Sequence, residues 1–137
     1  GIYGPGRSAI DSIMNGKYKL IDKPGQVFSR IHIDDIAGAV IHLIHLSRQG
    51  NSPQIINIAD DFPTANLEVL TYAASLLNMK LPAAEKFETA AKKMSPMALS
   101  FWEENRRVSN NLLCKELGYS LLHPDYRSGL KDCLLQI

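Results

Sequence analysis

Few residues in this sequence combine chemically capable side chains with a suggestive spacing. The stretch RRVSN at 106–110 precedes a predicted short helix, so Arg107, Ser109 and Asn110 lie where a helix N-terminus could receive an anion. The alternative is an ordinary N-cap with solvated arginines. His42 and His45 are spaced like a metal-binding pair on a helix. Because no third ligand is evident, we interpret these two histidines as part of a solvated face.

The composition of the chain limits the classes of function. The chain has 137 residues, 45% of them hydrophobic and 21% charged, which predicts one globular domain over residues 1–137. A net charge of +1 argues against nucleic acid or a membrane surface as a partner. The two cysteines, Cys114 and Cys133, lack metal-ligand spacing and are typical of a reduced protein, which predicts a cytoplasmic location. No apolar run reaches the length of a membrane span.

Hydrophobic spacing and turn residues predict a helix-rich mixture of helices and strands. Ser8 is the predicted N-cap of a first helix that ends near residue 16. Residues 18–21 and 27–33 are predicted strands, and the turn between them indicates a hairpin. One further strand, buried on both faces, is predicted at 54–59. Further helices are predicted at 36–48, 64–77, 85–93, 96–104 and 109–118, and from 124 to the C-terminus.

The predicted helix at 36–48 follows a run of polar residues. Asp34 and Asp35 are interpreted as its N-caps, and His32 as a structural hydrogen-bonding residue. The predicted apolar face of this helix consists of Ile36, Ala37, Val40, Ile41, Leu43 and Ile44. Its opposite face, which carries Gly38 and His42, is expected to be solvated.

Four separated motifs occur in a particular order. They are YGPGR at 3–7, RIHIDDIAGAV at 30–40, INIADD at 56–61 and RVSNNLLCKELGYSLLHPDYRSGL at 107–130. This succession resembles the C-terminal half of extended and atypical short-chain dehydrogenases/reductases, the NAD-dependent epimerase/dehydratase family. The resemblance implies an α/β fold, namely the helix-rich, substrate-binding C-terminal portion of a Rossmann-type enzyme whose N-terminal half is missing. It also implies NAD or NADP as the cofactor of the longer parent protein.

Two features that carry chemistry in that family are absent here. No GxxGxxG loop joins a strand to a helix N-terminus, where backbone N–H groups would hold a pyrophosphate. None of the five tyrosines has a lysine four residues later. We therefore expect a fragment of a longer NAD(P)-dependent oxidoreductase or epimerase, with no catalytic residue and no bound cofactor of its own. The alternative is a non-catalytic binding or regulatory protein on the same fold.

The resemblance also assigns candidate site residues for a small-molecule substrate. Ile2 and Tyr3 would lie near the nicotinamide end of the cofactor. Arg7 would reach the substrate or cap a neighbouring carbonyl, and Arg30 would point into the cleft or form a structural salt bridge. Arg107, Ser109 and Asn110 would border the same cleft. Sugar-nucleotide members carry an arginine where this chain has Phe28, which makes a nucleotide-diphosphate sugar a less suitable substrate.

The resemblance further predicts self-association. In the family, the Rossmann half covers the elements corresponding to the strand at 54–59 and the helix at 36–48. Without that half, a strand edge and an apolar helix face would be left in water. We therefore expect a homodimer or a self-associating chain, and no membrane or nucleic-acid partner.

Overall fold

The computed structural model describes all 137 residues and contains mostly helices, joined by very short strands. The strands are β1 (Ile2–Tyr3), β2 (Ile21–Asp22), β3 (Ile31–His32) and β4 (Glu85–Lys86). The α-helices are α1 (Ala9–Met14), α2 (Ile33–Arg48), α3 (Asn66–Leu76), α4 (Phe87–Ala91), α5 (Pro96–Glu103) and α6 (Tyr126–Leu135). A π-helical turn spans Leu112–Glu116. None of the helices has the length and apolar character needed to cross a lipid bilayer.

The strands form two separate parallel pairs, so the predicted hairpin is wrong. β1 pairs with β3 in the register Ile2 to Ile31, and β2 pairs with β4 in the register Ile21 to Glu85. The turn itself forms, with the Gln26 N–H donating to the Lys23 carbonyl over 3.1 Å. The segments on either side of this turn nevertheless pair with distant parts of the chain. Turn chemistry therefore identified the bend but not the strand partners.

Helices α1, α3 and α6 enclose the main core. Its buried residues include Ile10, Ile13, Leu70 and Leu130, and Tyr3 from β1 joins them. The predicted cap Ser8 is confirmed, because its Oγ accepts the Ile10 N–H at 3.2 Å. Asp125, at the predicted start of the last helix, caps α6 by accepting the Arg127 N–H on Oδ1 at 2.8 Å. The core therefore holds β1, and with it the N-terminal turn, against α1 and α6.

Helix α2 begins earlier than predicted because a histidine caps it. His32 Nδ1 accepts the Asp34 N–H at 3.0 Å, so the helix starts at Ile33 and the predicted caps lie inside its first turn. Asp35 is fully buried and accepts three hydrogen bonds, from Tyr119 Oη (2.9 Å), Leu122 N (2.7 Å) and His123 N (2.9 Å). The interpretation of Asp34 and Asp35 as caps is therefore wrong. Asp35 instead holds the segment before α6 against α2.

The two faces of α2 are used differently from the prediction. Gly38 lies directly under the Tyr119 hydroxyl, where a Cβ atom would come within 2.2 Å of the oxygen, and His42 Nε2 lies 2.5 Å from the Leu117 carbonyl. At Gly38 and His42 the face expected to be solvated thus packs against the chain, whereas His45 is exposed as predicted. On the apolar face, Val40, Ile41 and Ile44 are 47%, 58% and 48% exposed. This apolar face of α2 has no partner within the chain.

Residues 54–59 do not form the predicted buried strand. Ile55 is 80% exposed, and Ile56 and Ile58 are only partly buried. The segment becomes buried at Ala59 and Asp60, where the Asp60 N–H donates to the Arg30 carbonyl at 2.7 Å. The predicted helix at 85–93 is also corrected, because its first two residues form β4 and only 87–91 are helical.

Candidate functional site

A cavity of about 450 Å³ lies between the N-terminal turn, α1, α3 and α5. Four of the seven predicted site residues line it: Ile2, Tyr3, Arg7 and Arg30. The chain elements that bring them together are β1, the turn that follows it, and the segment just before β3. The structure therefore groups residues that are up to 28 positions apart in the sequence around one space.

The turn at 4–7 sets the direction of Arg7. Gly4 and Arg7 exchange two backbone hydrogen bonds, of 3.1 and 3.0 Å, and Gly6 has a φ of +80°, which favours glycine. Gly4 also lies against the Ile33 side chain, where a Cβ atom would come within 2.6 Å of its carbons. The turn leads directly into Ser8, which caps α1. Arg7 is therefore exposed at the cavity, on a backbone that has little freedom.

Arg30 is the more enclosed of the two arginines at the cavity. Its Nη1 donates to the carbonyls of Phe28 and Thr64, at 3.1 and 3.0 Å. No carboxylate lies within ion-pair distance of it, so the predicted structural salt bridge does not form. Burial lowers the pKa of Arg30, although a guanidinium stays charged in proteins. Its positive charge is therefore only partly compensated and remains available to an anion in the cavity.

Two buried polar atoms near Arg30 have no hydrogen-bond partner. They are the Tyr3 hydroxyl and Asp60 Oδ2, while Asp60 Oδ1 accepts the Phe62 N–H at 3.0 Å. Burial raises the pKa of Asp60 to about 6 and also raises the pKa of Tyr3. Asp60 is therefore mostly ionised at neutral pH and takes up a proton as the pH falls toward 6, where its charge offsets less of that of Arg30.

The other three predicted site residues lie outside this cavity. Arg107 is exposed, and Ser109 Oγ accepts the Asn111 N–H at 3.2 Å. Asn110 Nδ2 donates to the Ala59 carbonyl at 3.0 Å and to Asp61 Oδ1 at 2.7 Å. Asn110 thus links the π-helical region to the loop after residue 59. A substrate-binding role for these three residues stays a prediction.

Sequence reasoning missed several residues of the cavity. It is also lined by Lys17, Tyr18, Lys19 and Trp102, none of which was predicted as a site residue. Trp102 is held edge-on against Phe28, with ring centroids 5.3 Å apart. The signal available in the sequence was the KYK triplet at 17–19, whose alternation places a tyrosine between two cations.

All the charged side chains that line the cavity are positive. Its lining side chains include four cations (Arg7, Lys17, Lys19 and Arg30) and no aspartate or glutamate. Of the 20 lining residues, 12 are hydrophobic, so the walls between the charges are largely apolar. Such a space suits a small molecule with an apolar body and a negatively charged group.

Comparisons with known proteins place this fold among larger proteins. No family model matches the chain. It is 26% identical over 140 residues to a 3-diazoavenalumate denitrifying reductase from Streptomyces sp, covering 94% of this chain and 43% of the relative. A solved structure of a functionally unknown conserved protein from Silicibacter pomeroyi DSS is 42% identical, with a TM-score of 0.86, over 98% of this chain and 46% of that one.

A second solved structure carries a more informative description. It is of a protein from Methylobacillus flagellatus described as an NAD-dependent epimerase/dehydratase, and it is 23% identical with a TM-score of 0.68. The match covers 98% of this chain and 44% of that protein. The chain therefore spans less than half the length of each of these three relatives.

Proposed function

Since this chain has the fold of the C-terminal half of an extended short-chain dehydrogenase/reductase of the NAD-dependent epimerase/dehydratase type, we propose that it is the substrate-binding part of an NAD(P)-dependent oxidoreductase or epimerase. A reductase and an NAD-dependent epimerase/dehydratase among the similar proteins support this class of reaction. The cofactor, NAD or NADP, would supply the hydride chemistry when bound to the longer protein. Ile2 and Tyr3 would then lie toward the nicotinamide.

The observation that carries the proposal is that every charged side chain lining the cavity is positive. Four cationic side chains and no carboxylate line a space of about 450 Å³. Arg30 is the residue best placed to bind an anionic group, because it is enclosed, has no ion pair and is held by two backbone carbonyls. Arg7, Lys17 and Lys19 would add a more exposed positive field around it.

The apolar walls of the cavity indicate the chemistry of the uncharged part of the ligand. Trp102, Tyr18 and Met94 line it together with Leu70 and Leu130. Aromatic and aliphatic side chains of this kind contact a flat or branched hydrocarbon body and exclude water from it. We therefore propose as substrate a small organic anion with an apolar body.

The single tryptophan allows a direct test of ligand binding. Because Trp102 lines the cavity, its fluorescence should change when the cavity fills. We would titrate the chain with a series of aryl and alkyl carboxylates, each paired with its uncharged primary amide. Carboxylates should bind more tightly than their amides, since only they form a charge-assisted hydrogen bond with Arg30.

Substitution of Arg30 tests whether this residue binds the carboxylate. Arg30→Met should weaken carboxylate binding about 10–150-fold, which corresponds to the loss of one hydrogen bond to a charged group. Arg48→Met is the matched control, because Arg48 lies exposed at the end of α2 and does not line the cavity. Equal binding of acids and amides, or equal effects of the two variants, would refute an anion site at Arg30.

A further inference from the structure

A second cluster of ionisable side chains lies outside the cavity, where the first turn of α2 meets α6. It contains His32, Asp34, His123 and Asp132, and one nitrogen or oxygen atom from each lies within 4.8 Å of the others. His32 and Asp34 come from the start of α2, His123 from the segment before α6, and Asp132 from α6 itself. None of the four lines the 450 Å³ cavity.

The hydrogen bonding of His32 determines which of its nitrogens carries a proton. Its Nδ1 accepts the Asp34 N–H at 3.0 Å, so in the neutral ring the proton is on Nε2. The side chain is fully buried, and Nε2 lies 3.2 Å from Asp132 Oδ2. The contact is not aligned as a hydrogen bond, and Nε2 has no other partner. A buried N–H therefore points into the cluster without being satisfied.

His123 is oriented in the opposite sense. Its Nδ1 lies 2.8 Å from Ser128 Oγ, and its Nε2 faces Asp34 Oδ2 at 3.9 Å. If Nδ1 donates to the serine hydroxyl, the Nε2 lone pair is free and directed at a carboxylate. A histidine that binds a metal through one nitrogen commonly donates the other N–H to an oxygen in this way.

The two carboxylates of the cluster lack a permanent positive partner. Each forms ion-pair contacts only with the imidazoles, Asp34 with His32 and His123, and Asp132 with His32. Asp132 also accepts from Gln136 Nε2 at 3.1 Å on each oxygen. With neutral histidines, the site carries two negative charges that no lysine or arginine neutralises.

We propose that Asp34, His123 and Asp132 bind one divalent transition-metal ion of the zinc type, with His32 as an outer partner whose Nε2–H, 3.2 Å from Asp132 Oδ2, would realign to donate to that ligand. A dication balances the charge of two carboxylates, and a mixed imidazole and carboxylate set favours zinc over magnesium or calcium. Zinc lies about 2.0–2.2 Å from such ligands, so tetrahedral ligand atoms are about 3.4 Å apart. Side-chain movements of about 1 Å reach this geometry, and Asp34 is 49% exposed and free to make them.

The ion would join three segments of the chain. It would connect the first turn of α2 to the segment before α6 and to α6, beside the three hydrogen bonds that Asp35 already accepts there. Because binding needs the folded arrangement, the ion should also raise the melting temperature of the chain.

Calorimetric titration of the chelator-treated chain with zinc chloride, and in parallel with magnesium chloride, tests the proposal. We expect one zinc ion per chain with a dissociation constant of about 10 μM or tighter, and no comparable magnesium binding. Asp34→Asn and His123→Ala should each weaken zinc binding at least about 10-fold, and Ser128→Ala about 10–100-fold. His45→Ala is the matched control, since His45 is an exposed histidine on α2 that lies outside the cluster. Circular dichroism in chelator would verify that each variant is folded.

Nitrogen-15 spectra of the histidines distinguish the ligand from the outer partner. On addition of zinc, the Nε2 resonance of His123 should shift to the metal-bound range, while His32 should keep a protonated Nε2. Absence of zinc binding would overturn the proposal, as would a loss of affinity in His45→Ala equal to that in His123→Ala. Coordination through His32 would overturn the assigned ligand set. Asp34→Asn preserves the size of an exposed side chain, so it tests the site even if His123→Ala unfolds.

Discussion

Replacing the buried carboxylate of Asp35 by an amide should strongly destabilise the fold. Asp35 is fully buried, and its Oδ1 accepts from Tyr119 Oη and Leu122 N while Oδ2 accepts from His123 N. In Asp35→Asn the amide NH₂ must replace one of these oxygens. If it replaces Oδ2, two N–H groups face each other at the 2.9 Å contact with His123 N.

The expected cost follows from these three contacts. A hydrogen bond to a charged acceptor contributes about 1.5–3 kcal/mol, and a buried donor left unpaired costs about 1–3 kcal/mol. The two remaining bonds also weaken, because their acceptor loses its charge. We therefore expect Asp35→Asn to lower the free energy of unfolding by about 3–4 kcal/mol, a large part of the roughly 5–15 kcal/mol of a typical domain. For a chain of this size, the melting temperature should fall by about 10–20 °C.

Urea and thermal denaturation followed by circular dichroism would measure this loss. Asp22→Asn is the matched control, because Asp22 is exposed and its carboxylate accepts no hydrogen bond from the protein, so its effect should stay within about 0.5 kcal/mol. Tyr119→Phe should show an intermediate loss of about 1–2 kcal/mol, because it removes only one of the three donors. If Asp35→Asn loses no more unfolding free energy than Asp22→Asn, the three hydrogen bonds to Asp35 do not stabilise the fold.

Three further outcomes are expected. In the full-length protein, Arg30→Met should lower kcat/KM about 10–150-fold, whereas the control Arg48→Met, exposed and outside the cavity, should leave it nearly unchanged; equal losses would place the anion elsewhere. Light scattering at increasing concentrations should detect self-association of the chain, since the apolar face of α2 is uncovered, and Ile41→Lys should reduce it; a wild-type chain that stays monomeric would contradict this. The carboxyl of Asp60 should titrate near pH 6 by NMR, because burial raises its pKa from 3.8 to about 6. The folded state then binds more protons than the unfolded state between these values, so stability should fall as the pH rises from about 4 to 6. Asp60→Asn should remove that part of the pH dependence, and an unchanged slope would show that the carboxyl titrates normally.

Local signals in the sequence determined much of the helical structure. Ser8 was identified as a cap from side-chain type alone, and it makes the expected bond to the first turn of α1. The last helix was predicted to begin at 124, and it begins at Tyr126 after the cap Asp125. The order of the four motifs also led to the family whose C-terminal half this chain resembles in fold. These features depend on residues close to one another along the chain, or on their order, and both are visible in one sequence.

Only the tertiary structure decided which strands pair, which face of α2 is covered and which residues line the cavity. Each depends on contacts between segments far apart in sequence: β1 with β3, Asp35 with residues 119–123, and Arg30 with Thr64. An apolar face indicates that a helix can bury that side, but whether the side is covered depends on which segment arrives there. Here Tyr119 packs on Gly38, so the polar side of α2 is covered at this point, while Val40, Ile41 and Ile44 on its apolar side are exposed. Likewise, Arg30 and Arg107 look equally suitable as anion ligands in the sequence, and only the packing of β3 beside β1 places the first in the cavity and leaves the second outside it.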